Sequence, residues 1–235
     1  MIKKVLFDLD GTLLPMDQEV FTKTYFSMLA SKLAPYGYDS KELIDGIWKG
    51  TKAMVKNNGA GSNETVFWDT VSAIFGDKIK KDIPIFDEFY SIDFDKAAKS
   101  CGYNPAAKRS VDKVKALGYG VILATNPLFP SIATEKRIRW AGLEPGDFEF
   151  FTSYENTCFC KPNPNYYRYV IDKAGCSAEE CVMVGNDVKE DMVAAELGMK
   201  VFLLSDCLIN PEGRDISAFP SGGFEEFDSY ISRQA

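Results

Sequence analysis

The 235-residue chain contains no histidine. That absence excludes Ser-His-Asp and Cys-His nucleophile systems and every His-ligated zinc site. Proton transfer therefore falls to carboxylates, Lys, Tyr, Cys or water. No apolar run approaches the roughly 18 residues that a membrane helix needs. The start, MIKKVLFDLDG, carries two lysines but neither a long apolar stretch nor a cleavage signal. A basic surplus is missing as well: 27 Lys and Arg stand against 34 Asp and Glu, a net charge of −7. No global field draws nucleic acid or anionic lipid to such a surface. The expectation is a cytoplasmic protein without a nucleic-acid or membrane partner. An anionic small molecule stays open, because local groups decide its binding. Six cysteines without an export signal read as reduced thiols, and Cys158 and Cys160 form a C-x-C with nothing nearby to complete a zinc set.

What is present has a clear period. Four short apolar runs, KVLFDL at 4–9, YGVILAT at 119–125, CVMVGN at 181–186 and KVFLLS at 200–205, each stop at a polar or turn residue. Near-continuous hydrophobicity over so few residues marks parallel strands covered on both faces. A weaker run, FEFFTS at 148–153, is a fifth candidate. Helical periodicity fills roughly 105–117, 131–141, 163–174 and 188–197, and Gly118, Gly142, Gly175 and Gly198 each stand just past such a stretch. Strand and helix in alternation predict an α/β fold with a doubly wound parallel sheet.

One interval breaks the alternation. Between Gly11 and about Ser100 the sequence offers only amphipathic segments joined by Gly, Asn and Pro. We expect an all-helical insertion at 16–98, with 1–15 and 99–235 forming the sheet domain. Within the insertion, Trp48, Lys49, Lys52 and Lys56 fit either a substrate-facing set or, the favoured reading, a core tryptophan beside a solvated basic helix face. NNGAGSN at 57–63 fits either a flexible specificity loop or a plain connector.

Ligands of open parallel sheets bind outside the carboxyl ends of the strands. The first strand ends in Asp8-Leu9-Asp10-Gly11-Thr12, the second in Thr125-Asn126, and the 181–186 run in Gly185-Asn186-Asp187, with Asp191 one turn on. Lys161-Pro162 precedes the 163–174 helix. Several carboxylates gathered on one edge do not all ionise without a cation. Oxygen-only donors select a hard ion such as Mg²⁺, held by one or two carboxylates plus water and phosphate oxygens. A carboxylate nucleophile beside Lys161 and the Thr125 hydroxyl is suited to phosphoryl transfer through an aspartyl-phosphate.

D-x-D-G-T at 8–12, T-N at 125–126, K-P at 161–162 and G-N-D-x-x-x-D at 185–191 resemble, in order and spacing, the four motifs of the haloacid dehalogenase (HAD) superfamily. The resemblance covers essentially the whole sheet domain. It implies that Asp8 is nucleophile and Mg²⁺ ligand, and that Asp10 is the general acid/base and binds the metal through its backbone carbonyl. It further implies that Thr125 and Asn126 hold the phosphoryl group and that Lys161 offsets charge on Asp8. Asp187 becomes a Mg²⁺ ligand, since Asn186 stands where many relatives carry Asp. Asp191 supports the metal shell or orients Lys161. The helical insertion corresponds to a cap over the active site.

The expected function is a Mg²⁺-dependent phosphatase acting on a small phosphorylated metabolite. A phosphomutase of the same fold would keep every one of these residues. A metal-independent haloacid dehalogenase shares the nucleophile, but Asp10 and Asp187 argue against it. A non-enzymatic phospho-acceptor or binding protein is the remaining alternative. Receiver domains resemble half this length and carry the phosphorylated Asp on a middle strand.

Overall fold

The four apolar runs form parallel strands: β1 (Lys4–Phe7), β2 (Gly120–Leu123), β3 (Cys181–Gly185) and β4 (Lys200–Leu204). The structure, a computed structural model, describes residues 1–234. A two-residue β5 (Ser221–Gly222) completes the sheet in the order β2-β1-β3-β4-β5. β1 pairs with β2 from Lys4 opposite Gly120 and with β3 from Lys4 opposite Cys181. This is a doubly wound order, and its topological switch lies between β1 and β3. The fold is therefore α/β, as the alternation predicts.

Alternation along β1 sends Val5 and Phe7 to one face of the sheet and Leu6 to the other, and both faces are covered. On the Leu6 face, Ile122 and Met183 pack against Tyr166, Tyr167 and Val170 of α8 (Pro164–Ala174). On the Val5 face, α6 (Pro105–Ala116) and α9 (Phe224–Ser232) close over the strands, and Phe227 meets the edges of Phe7 and Phe202 at centroid distances of 5.5 and 5.4 Å. Gly118, Gly142, Gly175 and Gly198 all adopt positive φ at the ends their helical stretches require.

Two expected elements take another form. Residues 148–153 do not make a strand: they run beside β2 with one bridge, Leu123 to Phe151, and backbone hydrogen bonds from Glu149 and Thr152. Residues 188–191 are turn and only Met192–Leu197 is helical, as 3-10 helix. The cause is local. The Asp187 carboxylate accepts from the backbone of Lys189 and Glu190, and Asp191 accepts from the backbone of Asp187, which replaces an α-helical first turn.

Between β1 and α6 every regular element is helical: α1 (Gln18–Leu33), α2 (Ser40–Val55), α3 (Asn63–Phe75), α4 (Asp77–Lys81) and α5 (Ile83–Glu88), followed by π- and 3-10 turns to Ser100. Asp17, Asp39 and Ser62 cap the first three by accepting from backbone N–H groups in the first turn. Phe21, Leu29, Ile47 and Phe89 belong to the same apolar cluster as Val5 and Phe7. Residues 57–63 are a connector pinned at both ends: the Asn57 amide donates to the Asn63 side chain at 2.9 Å, and Asn63 N–H donates to the Thr157 carbonyl at 2.8 Å.

Candidate active site

The switch between β1 and β3 places Asp8 one residue beyond β1, its N–H donating to the Val184 carbonyl of β3 at 2.9 Å. Asp8 is 7% exposed. One carboxylate oxygen accepts from Lys161 Nζ at 2.8 Å and the other from Thr12 Oγ1 at 3.2 Å. Lys161, 1% exposed, donates a second bond to Asp191 at 2.7 Å. Burial works against the ammonium form, but Asp191 and Asp8 together hold Lys161 well above the ordinary lysine value. Burial pushes the Asp191 carboxyl up against the pull of Lys161. The cluster is one ammonium shared by two carboxylates.

Gly11, at φ +85°, turns the chain sharply after Asp10, and a Cβ there would stand 2.3 Å from the Asn186 amide nitrogen. The turn lets Thr12 Oγ1 reach both Asp8 and Asn186 Oδ1, the latter at 2.9 Å. Asn186 also donates to the Cys207 carbonyl at 2.7 Å. Its side chain is thus occupied in joining the β3 loop, where it sits, to the loops after β1 and β4. Asp187 lines the cavity described below; its Oδ1 is committed to the turn at 188–190, and no hydrogen bond to Oδ2 occurs among the described residues.

Asp10 meets a residue that sequence reasoning missed. Arg137, 1% exposed on α7 (Ser131–Trp140), donates to one Asp10 oxygen, to Thr134 Oγ1 and to the Ala133 carbonyl, and its guanidinium lies 4.4 Å above the Phe129 ring. Burial pushes the Asp10 carboxyl up and Arg137 opposes it. The second Asp10 oxygen is buried with no partner. A signal existed: Ala133, Thr134 and Ile138 mark the inner face of α7, and Arg137 falls on that face. Glu190 was missed too. Burial pushes its carboxyl up to about 8, and it accepts from the Asn126 amide at 2.9 Å. The Asn126 side-chain oxygen is buried without a partner. Thr125 is buried, and its carbonyl accepts from Thr152 and from Tyr166 at 2.7 and 2.8 Å.

A cavity of about 280 Å³ opens over these strand ends, lined by Asp8, Asp10, Thr125, Asn126, Asp187 and Asp191 and walled by aromatic side chains from α1, α2 and α3. Trp48 belongs to this wall. It is 50% exposed rather than core, and Lys49, Lys52 and Lys56 lie in solvent away from the cavity. The expected cluster is therefore assembled, with Lys161 beneath its floor.

The model of haloacid dehalogenase-like hydrolases matches residues 2–198. The chain belongs to this family. A glyceraldehyde 3-phosphate phosphatase from Methanocaldococcus jannaschii is 28% identical over 201 residues, 85% of this chain and 83% of its own length. Among solved structures, a 2-haloacid dehalogenase from Pseudomonas syringae superposes with a TM-score of 0.63 at 19% identity, all of both chains covered. The HAD-hydrolase YfnB from Bacillus subtilis, in a form bound to magnesium, gives 0.54 at 17% identity over 98% of each chain. As a haloacid dehalogenase-like hydrolase, the protein is an enzyme. Among its described residues no helix is long and apolar enough to cross a membrane.

Whether this site suits the family's metal is a question of donors. Among the described residues no three His, Cys, Asp or Glu side chains are grouped tightly enough to hold an ion by themselves. Mg²⁺ does not require that, because it is bound through one or two carboxylates, carbonyls and waters. Asp8 and Asp187 with the Asp10 backbone carbonyl offer oxygen alone, at a cavity edge that water reaches. The donor chemistry fits.

Proposed function

We propose that the protein is a Mg²⁺-dependent phosphatase that hydrolyses a small phosphorylated metabolite through an aspartyl-phosphate on Asp8. The observation that carries this reading is the buried Lys161 ammonium, which holds the Asp8 carboxylate at the floor of a cavity two residues from a second carboxylate, Asp10. The named activity of the Methanocaldococcus relative and the magnesium in the Bacillus structure support it.

Asp8 attacks phosphorus while Asp10 gives a proton to the departing oxygen; Asp10 then takes a proton from the water that hydrolyses the acyl phosphate. Arg137 fixes the Asp10 carboxylate in place for both transfers, which makes it a positioning residue. Thr125, Asn126 and Lys161 hold the phosphoryl oxygens. Asp8, Asp187 and the Asp10 carbonyl would hold Mg²⁺, whose part is to neutralise charge on the transferring group. Asp191 keeps Lys161 aimed at Asp8. In this scheme residues 1–15 and 99–235 form the catalytic core, and the helices of 16–98 are the cap that selects the leaving group.

Hydrolysis of p-nitrophenyl phosphate is expected with Mg²⁺, to be lost in EDTA and to return when Mg²⁺ is added back. Equal turnover in EDTA contradicts the proposal. Asp10→Asn is expected to lower kcat by roughly 10²–10⁴, the range for losing a general acid/base. A kcat within threefold of wild type would remove Asp10 from that role.

A further inference from the structure

The cavity above Asp8 has a composition that bears on the leaving group. Its charged lining is entirely acidic, and all of it lies on the floor: Asp8, Asp10, Asp187, Glu190 and Asp191. Among the described residues no lysine or arginine lines it. The two cations nearby, Lys161 and Arg137, are each 1% exposed and already paired with carboxylates. A substrate with a carboxylate or a second phosphate on its leaving group would bring that charge into the cavity with no counter-charge waiting. Such a burial is costly.

The walls are aromatic. Phe21 and Tyr25 of α1, Trp48 of α2, Phe67 and Trp68 of α3, and Phe129 after β2 all face the same space. The hydroxyls of Tyr25 and Tyr90 share one hydrogen bond of 2.7 Å, which engages the proton of one of them. Beyond that pair, α1 to α3 contribute Gln18, Thr22, Thr51 and the indole N–H groups of Trp48 and Trp68, a sparse polar set beside so much ring surface. Aromatic walls of this kind gain most from a flat, uncharged ring. At about 280 Å³ the cavity is at the small end of ligand sites, which suits a one- or two-ring body.

We infer that the substrate is the phosphate monoester of an uncharged, ring-bearing apolar alcohol, rather than a phosphorylated acid or polyol. This inference rests on the phosphatase reading and deepens it. Trp48, half-exposed and packed on Phe26 with centroids 5.3 Å apart, lines the cavity and is the specificity residue to vary.

The test compares alkyl monoesters of similar leaving-group reactivity with Mg²⁺: benzyl phosphate and 2-phenylethyl phosphate against phosphoglycolate and glycerol 3-phosphate. The two ring-bearing esters are expected to show kcat/KM roughly tenfold or more above the other two, the discrimination an apolar pocket supplies. Trp48→Ala should narrow that ratio by about fivefold, chiefly through KM, as one ring contact is lost. Equal or higher kcat/KM for phosphoglycolate or glycerol 3-phosphate overturns the inference and leaves the phosphatase reading intact, as does a ratio untouched by Trp48→Ala. If none of these esters is hydrolysed, the cavity is read by binding instead, and the phosphatase reading falls only if p-nitrophenyl phosphate is not hydrolysed either. Benzylphosphonate should then quench tryptophan fluorescence at roughly tenfold lower concentration than phosphonoacetate. Equal or weaker binding overturns the inference on its own.

Discussion

Asp8→Asn is expected to lower kcat by roughly 10⁴–10⁶, the range seen when the residue forming a covalent intermediate is removed. Asparagine keeps the size of the side chain and an oxygen for Thr12 or Lys161 to address, so the cavity floor keeps its shape. What is lost is the anionic oxygen that attacks phosphorus. The fold should hold, since Lys161 retains its 2.7 Å bond to Asp191 and the apolar clusters on the two faces of β1 are untouched. The check is Mg²⁺-dependent hydrolysis of p-nitrophenyl phosphate by wild type and variant, with thermal unfolding measured on both. A variant that keeps its unfolding midpoint and its rate would remove Asp8 from the nucleophile's role.

Lys161→Met carries the largest expected effect on stability. Methionine matches the aliphatic stem but leaves Asp8 and Asp191 facing each other without the ammonium they share. Breaking a buried ion pair on one side costs about 3–5 kcal/mol, because an uncompensated charge stays behind. For a chain of this size, with about 2–4 °C of midpoint per kcal/mol, the melting temperature should fall by roughly 6–20 °C. Lys161 is 1% exposed, so little solvent screening softens the loss. Turnover should fall with it, by roughly 10²–10³ for one electrostatic contact to the transferring group. A midpoint within 2 °C of wild type would show that the two carboxylates find another compensation.

The sheet and the floor of the site were legible because both follow local rules. Strands buried on two faces must be apolar along their covered length, which β1 to β4 are beyond the lysines that open β1 and β4, and polar residues can enter only where such a strand begins or ends. Asp8, Asp187 and the Thr125-Asn126 pair therefore announced their edge of the sheet. Gly11 announced the turn that the φ of +85° requires. Residues 148–153 misled because an edge segment can borrow backbone hydrogen bonds from β2 without forming a ladder of its own. Residues 188–197 misled because Asp187 and Asp191, read as site residues, also divert the backbone between them. Arg137 lies 127 positions from Asp10, and no spacing rule links the two; only its place on the inner face of α7 hinted at a buried partner. Trp48 lines the cavity, the less favoured of its two readings, for a related reason. An apolar face on an inserted helix has the same period whether it lines a core or a cavity.

The central claim is that phosphate passes through Asp8. The direct measurement is acid quench of the enzyme during turnover of a labelled aryl phosphate with Mg²⁺, followed by peptide mapping. A phosphoryl group should appear on the peptide containing Asp8, disappear as free phosphate is released, and be absent from Asp8→Asn. A label on any other residue, or steady turnover with no covalent label at any quench time, would contradict the account.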